Sequence, residues 1–172
     1  YLNIGLGEDR LGGSKYSFLV PGIRLAIAGK VERQYRVALS DGQEAWIPNE
    51  FVDLQPAGTF PPFSLTGSLM LSGDERYDYV MLALSDKLPY SSTQELDPTR
   101  ISIDVYGAVS NTNWITQQNT AREVRNLYCN QVGRNHLRVT IDLKHKQAWG
   151  YGISYQGTAL VVKIRRQPES LR

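Results

Sequence analysis

The sequence predicts an all-β protein, in which a small barrel is followed by an antiparallel β-sandwich. Three observations carry this prediction. The 172 residues include ten Tyr, three Trp and fifteen Gly, and aromatic residues favour pleated surfaces whereas Gly supplies turns. Several segments alternate apolar with polar or small residues, which is the period of a strand with one buried face. A Pro-rich run separates two groups of such segments, so the chain divides into two units.

The first unit is expected over residues 1–55 as a small barrel of short strands. Residues 23–28 alternate larger apolar side chains with Ala or Arg and predict a strand, which Gly29-Lys30 is expected to end. A second strand is predicted over residues 35–39. Asp and Gly tolerate turn conformations, so Ser40-Asp41-Gly42 predicts a hairpin after that strand.

A stiff connector is expected over residues 56–63, because three Pro and one Gly oppose regular structure. The second unit, residues 64–172, contains segments of strict apolar and polar alternation. Such alternation gives each strand one buried and one solvated face, which is typical of an antiparallel sandwich. The predicted strands are 79–84, 101–105, 137–143 and 160–164.

One segment of the second unit fits two kinds of structure. Residues 121–132 fit either a strand or one face of a helix, and the strand is preferred. The following Gly133-Arg134-Asn135 predicts a hairpin turn into the strand that contains Leu137.

Composition and charge exclude several classes of function. The formal net charge of +2 is too small for a basic nucleic-acid groove, so no nucleic-acid partner is expected. No apolar run approaches the roughly 18 residues of a membrane helix, so no transmembrane segment is expected. Cys129 is the sole cysteine and is expected to be a small, half-buried apolar residue.

The two histidines are poor candidates for a metal site. A catalytic zinc needs about three protein ligands, and the sequence offers only His136 and His145. On a continuous strand their odd separation would place them on opposite faces. Lys144 and Lys146 flank His145 and also disfavour a bound cation. Structural or surface roles are therefore expected for both, with no metal site.

The other catalytic arrangements are also weak. Cys129 lacks the Gly turn and capping residue that place an activated thiolate at a helix N-terminus. Glycosidases need two carboxylates about 5 to 9 Å apart, and Asp104 and Asp142 could be neighbours on adjacent strands. Solvated carboxylates on strand faces are the expected interpretation of this pair. No catalytic residue is predicted, and this segment is not expected to be an enzyme.

Both units resemble known families. The first resembles bacterial SH3-like domains through Tyr35–Leu39, Asp41-Gly42 and Ala45–Pro48. The second resembles the AMIN domain, a β-sandwich found at the front of N-acetylmuramoyl-L-alanine amidases, and the match is closest to those of Bacteroides-type bacteria. The match to the front region of these amidases covers nearly the whole chain, and the segments that carry it are Leu11–Gly13, Ser64–Ser68, Tyr77–Val80, Leu88–Tyr90, Gly107–Thr116 and Leu143–Tyr151.

The resemblance implies an SH3-like barrel followed by an AMIN-like sandwich, in an exported protein of the periplasm or cell envelope of a Gram-negative bacterium. In such amidases a zinc domain follows, opened by an Asp-Pro-Gly-His-Gly-Gly motif that this sequence does not contain. We therefore expect the zinc and the hydrolase activity in a domain C-terminal to this chain, and no cofactor in this segment. The implied partner is peptidoglycan or its fragments, with the amidase domain and divisome proteins as further partners.

The candidate ligand-binding residues are Tyr35, Trp114, Lys144, Trp149 and Tyr151. Trp114 lies in a polar loop, where it either marks a contact surface or folds back to plug the end of the sandwich. Trp149 and Tyr151, near Lys144, suit sugar rings and stem-peptide carboxylates, or else are alternate core residues of an ordinary strand. Tyr35 is the expected aromatic residue of an SH3-like groove.

Two functions remain open on the sequence alone. The first is a non-catalytic segment that binds peptidoglycan and targets an amidase to the cell wall. The alternative is a protein-interaction or autoinhibitory module that contacts the amidase domain or a division-site regulator. Binding to purified cell wall separates the two.

Overall fold

The computed structural model describes residues 2–3, 15–17, 19–111, 115–117 and 119–168. Within these ranges almost all regular structure is β-strand, and the strands form several antiparallel sheets. The predicted all-β class is therefore confirmed. Among the described residues, no helix is long or apolar enough to cross a membrane.

The described strands form three larger sheets and one small pair. In chain order the elements are β1 (Leu2–Asn3), β2 (Lys15–Ser17), β3 (Ala26–Val31), β4 (Gln34–Ser40), β5 (Gln43–Pro48), a 3-10 helix (Asn49–Phe51), β6 (Ser64–Leu65), β7 (Leu69–Gly73), β8 (Tyr77–Leu82), β9 (Tyr90–Leu96), β10 (Thr99–Tyr106), β11 (Ala108–Val109), β12 (Ile115–Gln117), β13 (Val124–Gly133), β14 (His136–Leu143), β15 (Tyr151–Gln156) and β16 (Ala159–Arg165). The N-terminal sheet has the order β2-β1-β5-β4-β3, the front sheet β12-β7-β8-β16-β15 and the back sheet β13-β14-β10-β9, whereas β11 pairs with β6.

The N-terminal sheet is antiparallel throughout its described strands. The turn Asp41-Gly42 joins β4 to β5 as the sequence predicts, and Gly42 has a φ of 77°, which glycine adopts without strain. Inward-facing residues of the two strands, among them Val37 and Ala45, are fully buried. With Leu2, Leu39 and Ile47 they form a small core of their own.

The break predicted at Gly29-Lys30 is wrong, because β3 runs through both residues. The pairing of β3 with β4 shifts register between Ile27 and Gly29, which is the signature of a bulge. Glycine is common at such bulges as well as at strand ends, so its position in the sequence was misleading. The chain turns instead at Glu32, whose φ is 49°. Ile27 is 42% exposed, since β3 forms an edge of its sheet.

The front and back sheets share one apolar core and form the predicted sandwich. The alternation at residues 101–105 is matched by burial, with Ile101, Ile103 and Val105 at most 1% exposed. Residues of β14 and β16 that were predicted to face inward join them in the same cluster. Burial of each such side chain contributes about 1.5 to 3 kcal/mol relative to exposure, so this core is the main source of stability in the second unit.

The ambiguous segment at residues 121–132 is a strand, as preferred. It forms most of β13, which pairs antiparallel with β14 along the edge of the back sheet. Arg134 and Asn135 form the turn between the two strands. Val124 and Leu127 enter the core whereas Tyr128 is 44% exposed, which fits a strand that is covered on one face only.

The two units are joined by direct contacts. Tyr106, at the end of β10, is 1% exposed and packs into the N-terminal core instead of the core of its own sandwich. The Arg24 guanidinium lies 2.9 Å from the Asp86 carboxylate, and the Arg24 backbone nitrogen donates to the Lys87 carbonyl at 3.1 Å. The apolar contact of Tyr106 and these polar contacts hold the N-terminal sheet against the sandwich.

The Pro-rich segment contains no helix or strand over residues 52–63, apart from a turn that the Thr59 backbone nitrogen closes on the Pro56 carbonyl at 3.2 Å. Its end packs closely against Gly107, which has a φ of 90°. A Cβ at this position would lie 2.8 Å from the Pro62 carbonyl oxygen. Only glycine satisfies both the backbone conformation and the close approach.

Tyr106→Ala should destabilise the N-terminal unit more than the sandwich, because it empties a site in the small core. Truncation of a fully buried aromatic residue costs about 3 to 5 kcal/mol. Amide hydrogen exchange should show that β4 and β5 lose protection before β14 does. The matched control is Tyr128→Ala on the exposed face of β13, which should change the free energy of unfolding by no more than about 0.5 kcal/mol. Equal effects of the two substitutions would contradict the assignment of Tyr106 to the N-terminal core.

Candidate functional site

Tyr35 lies on β4 in the N-terminal sheet. It is half-buried, packs against the N-terminal core and lies opposite Ile47 of β5. The Lys30 ammonium group is 5.7 Å from the centre of its ring, within the range of a cation–π contact. Tyr35 therefore has one side in the core and a cation beside its ring, and the structure places it in a different unit from the other candidates.

Three of the predicted binding residues lie at the junction of β14 and β15, whereas Trp114 falls outside the described residues. Lys144 is exposed in the loop after β14, and Trp149 is half-buried near the end of the same loop. The Trp149 indole nitrogen is buried without a hydrogen-bond partner in the described part of the chain. Tyr151 begins β15, packs against the sandwich core and forms a 3.2 Å hydrogen bond between its hydroxyl and that of Ser92.

Asp104 and Asp142 are not the solvated carboxylates that the sequence predicts. Asp104 Oδ1 lies 2.6 Å from His136 Nε2 and 2.8 Å from Arg138 Nε, and Asp142 Oδ1 lies 2.7 Å from Arg100 Nε. The two carboxylate side chains are only 13% and 4% exposed, because side chains of the neighbouring strand cover them.

The separation of this pair is also unsuitable for cleaving a sugar bond. Asp104 is opposite Arg138 in the β10–β14 register and Asp142 is opposite Arg100. The two aspartates are thus four positions apart along the strands, which is about 13 Å at the usual rise. A glycosidase pair is about 5 to 9.5 Å apart. Both carboxylates act as structural ion-pair partners.

The two histidines have separate carboxylate partners. His136 is buried at the start of β14 beside Asp104, whereas His145 lies beyond the end of that strand. His145 Nδ1 is 2.9 Å from both carboxylate oxygens of the buried Glu123. The sequence analysis considered only the flanking lysines and missed this partner, because Glu123 is brought in from the start of β13. Among the described residues, no group of three or more His, Cys, Asp or Glu could hold a metal ion.

Cys129 is half-buried on β13 and packs against the sandwich core. Burial raises the pKa of its thiol above the ordinary value, because a thiolate is poorly solvated in apolar surroundings. The side chain therefore behaves as the small apolar residue that the sequence predicts.

A cleft lies at one end of the front sheet, where the sequence predicts no site. This arginine cleft has a volume of about 900 Å³. It lies where the β7–β8 turn, the chain before β13 and the chain after β16 meet. Its lining residues are Gly73, Asp74, Glu75, Arg76, Tyr77, Thr120, Arg122, Arg165, Arg166, Gln167 and Pro168.

A buried aspartate forms the base of the arginine cleft. Asp78 on β8 is fully buried, and its carboxylate accepts hydrogen bonds from the backbone nitrogens of residues 122–124 at 2.7 to 3.1 Å. Arg166 Nε also donates to Asp78 Oδ1 at 2.7 Å, and the same guanidinium donates to the Thr120 carbonyl. A buried charge is tolerated only when it is paired and hydrogen-bonded, and both conditions are met here.

Gly73 gives the Arg166 guanidinium its space. A Cβ at Gly73 would overlap Arg166 Nη2 and lie 2.8 Å from Asp78 Oδ1. The Gly73 backbone nitrogen donates a hydrogen bond to Thr120 Oγ1 at 3.0 Å. The absence of a side chain at this position therefore allows the buried ion pair to form beside the β7–β8 turn.

Asp74 shapes the turn at the rim of the arginine cleft. Its Oδ1 accepts hydrogen bonds from the backbone nitrogens of Arg76 and Tyr77, both at 2.8 Å, and its Oδ2 accepts from the Tyr79 hydroxyl at 2.7 Å. The Tyr79 hydrogen bond and the two backbone hydrogen bonds lower the pKa of Asp74 from 3.8 to about 2. The carboxylate therefore stays ionised at any pH at which the protein would function.

Three exposed arginines of the arginine cleft have guanidinium groups without a partner among the described residues: Arg76, Arg122 and Arg165. Arg165 is brought opposite Tyr77 by the β8–β16 register. The Lys163 ammonium lies 4.0 Å from the centroid of the Tyr77 ring. Guanidinium groups are forked donors that suit carboxylates and phosphates, so this cleft can bind an anionic group.

Tyr79→Phe should raise the pKa of Asp74 from about 2 towards its ordinary value of 3.8, because it removes the hydrogen bond that lowers this pKa most. In the native protein the lowered pKa adds stability that is fully present above pH 3.8 and is lost as the pH falls through about 2. An NMR titration of the Asp74 carboxyl carbon measures the shift. Tyr77→Phe is the control, since residue 77 contacts Asp74 through its backbone nitrogen. A pKa that stays at about 2 in the Tyr79→Phe variant would contradict the assigned cause.

The fold agrees with a comparison to known families. The model of the AMIN domain matches residues 70–164, which run from β7 to β16 and make up more than half of the chain. The matched range contains most of both sandwich sheets, and its sequence includes the candidate residues Trp114, Lys144, Trp149 and Tyr151. A search of curated proteins gives no match. The chain belongs to the AMIN domain family.

Proposed function

We propose that this chain is the cell-wall-binding and targeting segment of an N-acetylmuramoyl-L-alanine amidase, with the zinc catalytic domain C-terminal to it. The match of the AMIN domain to residues 70–164 carries the proposal. AMIN domains are non-catalytic modules that bind peptidoglycan in periplasmic proteins, amidases among them. The proposed location is accordingly the periplasm or cell envelope of a Gram-negative bacterium.

The N-terminal unit supports the proposal as a second, SH3-like binding module. Its five described strands form one antiparallel sheet around a separate small core, with the Asp41-Gly42 hairpin between β4 and β5. The proposed boundaries are residues 1–55 for this module, 56–63 for the linker and 64–172 for the sandwich. Two linked modules on a polymer with repeated epitopes gain effective concentration, so two weak sites retain an enzyme better than one.

The proposed contacts with wall material are the aromatic and cationic residues Tyr35, Trp114, Lys144, Trp149 and Tyr151. Trp149 and Tyr151 are half-buried and Lys144 is exposed, and all three lie within eight positions of one another in the chain. Aromatic faces stack on sugar rings, and an ammonium group attracts the carboxylates of stem peptides. The junction of β14 and β15 therefore offers side chains for both kinds of contact.

A second candidate function is protein interaction, through contact with the amidase domain or a division-site regulator. The observation that favours it is β13, a ten-residue strand at the edge of the back sheet. Its residues Tyr128 and Val132 are 44% and 46% exposed. An edge strand can pair with a strand of another protein, which would place a partner along this side of the sandwich.

Sedimentation with insoluble peptidoglycan tests the first function. The purified segment should pellet with intact peptidoglycan, and retention should weaken when the stem peptides are removed from the glycan strands. Added salt should reduce the retention, because exposed charges are screened. A segment that stays in the supernatant with both preparations would contradict wall binding, and capture by a purified amidase domain would then support the protein-interaction function.

A further inference from the structure

We propose that the arginine cleft is a subsite for a short zwitterionic peptide, one that carries free carboxylates together with an ammonium group. This inference rests on the proposed function, because the peptide source that it assigns is the stem peptide of peptidoglycan. The cleft is separate from the aromatic and cationic candidates, because none of its lining residues is Tyr35, Lys144, Trp149 or Tyr151.

The carboxylate part of the ligand is assigned from the unpaired guanidinium groups. Arg76, Arg122 and Arg165 all line the cleft and are exposed. Elsewhere in the described chain, arginines such as Arg24 and Arg100 are engaged by nearby aspartates. Arginine forms two parallel hydrogen bonds with a carboxylate, and side chains from three separate segments can contact more than one carboxylate of a single ligand.

The ammonium part is assigned from the two carboxylates on the same cleft. Asp74 and Glu75 are exposed at its rim, and the lowered pKa of Asp74 keeps its carboxylate ionised. These two negative charges would repel a polyanion such as a nucleic acid or a phosphate-rich polymer. They would attract an amino group held beside the carboxylates, so mixed charge favours a zwitterionic peptide.

The base of the cleft is rigid enough to keep these groups in place before the ligand arrives. Asp78 and Arg166 are 0% and 5% exposed, and their ion pair holds the chain at residues 122–124. Arg122 is therefore fixed at its backbone, and Arg165 directly precedes the buried arginine. A site that is ordered in advance loses less entropy on binding, which is how exposed side chains can give useful affinity.

The experiment titrates the full chain with a synthetic stem peptide that contains a diamino acid. Calorimetry measures the affinity, and the NMR chemical shifts of the Tyr77 and Arg122 amides report binding at the cleft. The cleft variant is R76Q/R122Q/R165Q. The control variant, R33Q/R125Q/R134Q, removes the same charge from exposed residues outside the cleft. The cleft variant should bind the peptide about tenfold more weakly or worse, whereas the control should bind it as the native protein does.

Blocked peptides test which groups are recognised. Amidation of the peptide carboxylates should weaken binding to the native protein. It should not weaken binding to the cleft variant any further, because that variant already lacks the guanidinium groups that would bind the carboxylates. Acetylation of the amino group should weaken binding to the native protein and to the control variant alike. Both variants should keep the native melting temperature, since the substituted side chains are exposed and unpaired.

Several results would overturn the subsite. It fails if the cleft variant binds the peptide like the native protein, and it fails if inorganic phosphate or an acidic peptide without an amino group competes as well as the stem peptide. Sedimentation with intact peptidoglycan, run in parallel, separates this failure from that of the proposed function. If the native protein pellets with the wall and the cleft variant binds the peptide as tightly as the native protein does, wall binding is supported and the subsite is contradicted. Loss of wall binding by the native protein removes both.

Discussion

The arrangement of chain segments at the cleft end of the sandwich depends on one buried polar group, the carboxylate of Asp78. It belongs to β8 in the front sheet, yet it accepts hydrogen bonds from the backbone at the start of β13 in the back sheet. Its pairing with Arg166 fixes the chain at the end of β16. A single charge thus connects three segments and both sheets, at a position where removal of either partner would leave an unpaired buried charge.

The shape of the candidate cleft follows from this arrangement. The sandwich core supplies stability, while the cleft at one end of the front sheet is shaped by the ion pair and by the space at Gly73. Tyr106 extends the same scaffold into the N-terminal core, so the two units are held by packing as well as by the linker. A wall-binding segment benefits from such rigidity, because two sites of fixed geometry can engage one polymer together.

Much of the fold could be predicted from the sequence, and the limits have physical causes. Strict alternation at residues 101–105 and 137–143 identified core strands because burial has the same period. Gly29 was misleading because glycine serves bulges as well as turns. Strand register determines the pairing of Asp142 with Arg100. The meeting of Arg76, Arg122 and Arg165 depends on which segments come together at the end of a sheet. A single sequence does not encode those distances in any local pattern, so the sequence analysis named aromatic candidates and did not predict the cleft.

A double-mutant cycle on Asp78 and Arg166 tests most directly whether the buried ion pair organises the sandwich and its cleft. The free energy of unfolding would be measured by denaturant titration for Asp78→Ala, Arg166→Met and the double variant. We expect each single substitution to cost about 3 to 5 kcal/mol, with Asp78→Ala costing more because three backbone donors also lose their acceptor. The double variant should cost less than the sum by more than about 1 kcal/mol. Single effects below about 1 kcal/mol that simply add would contradict the account.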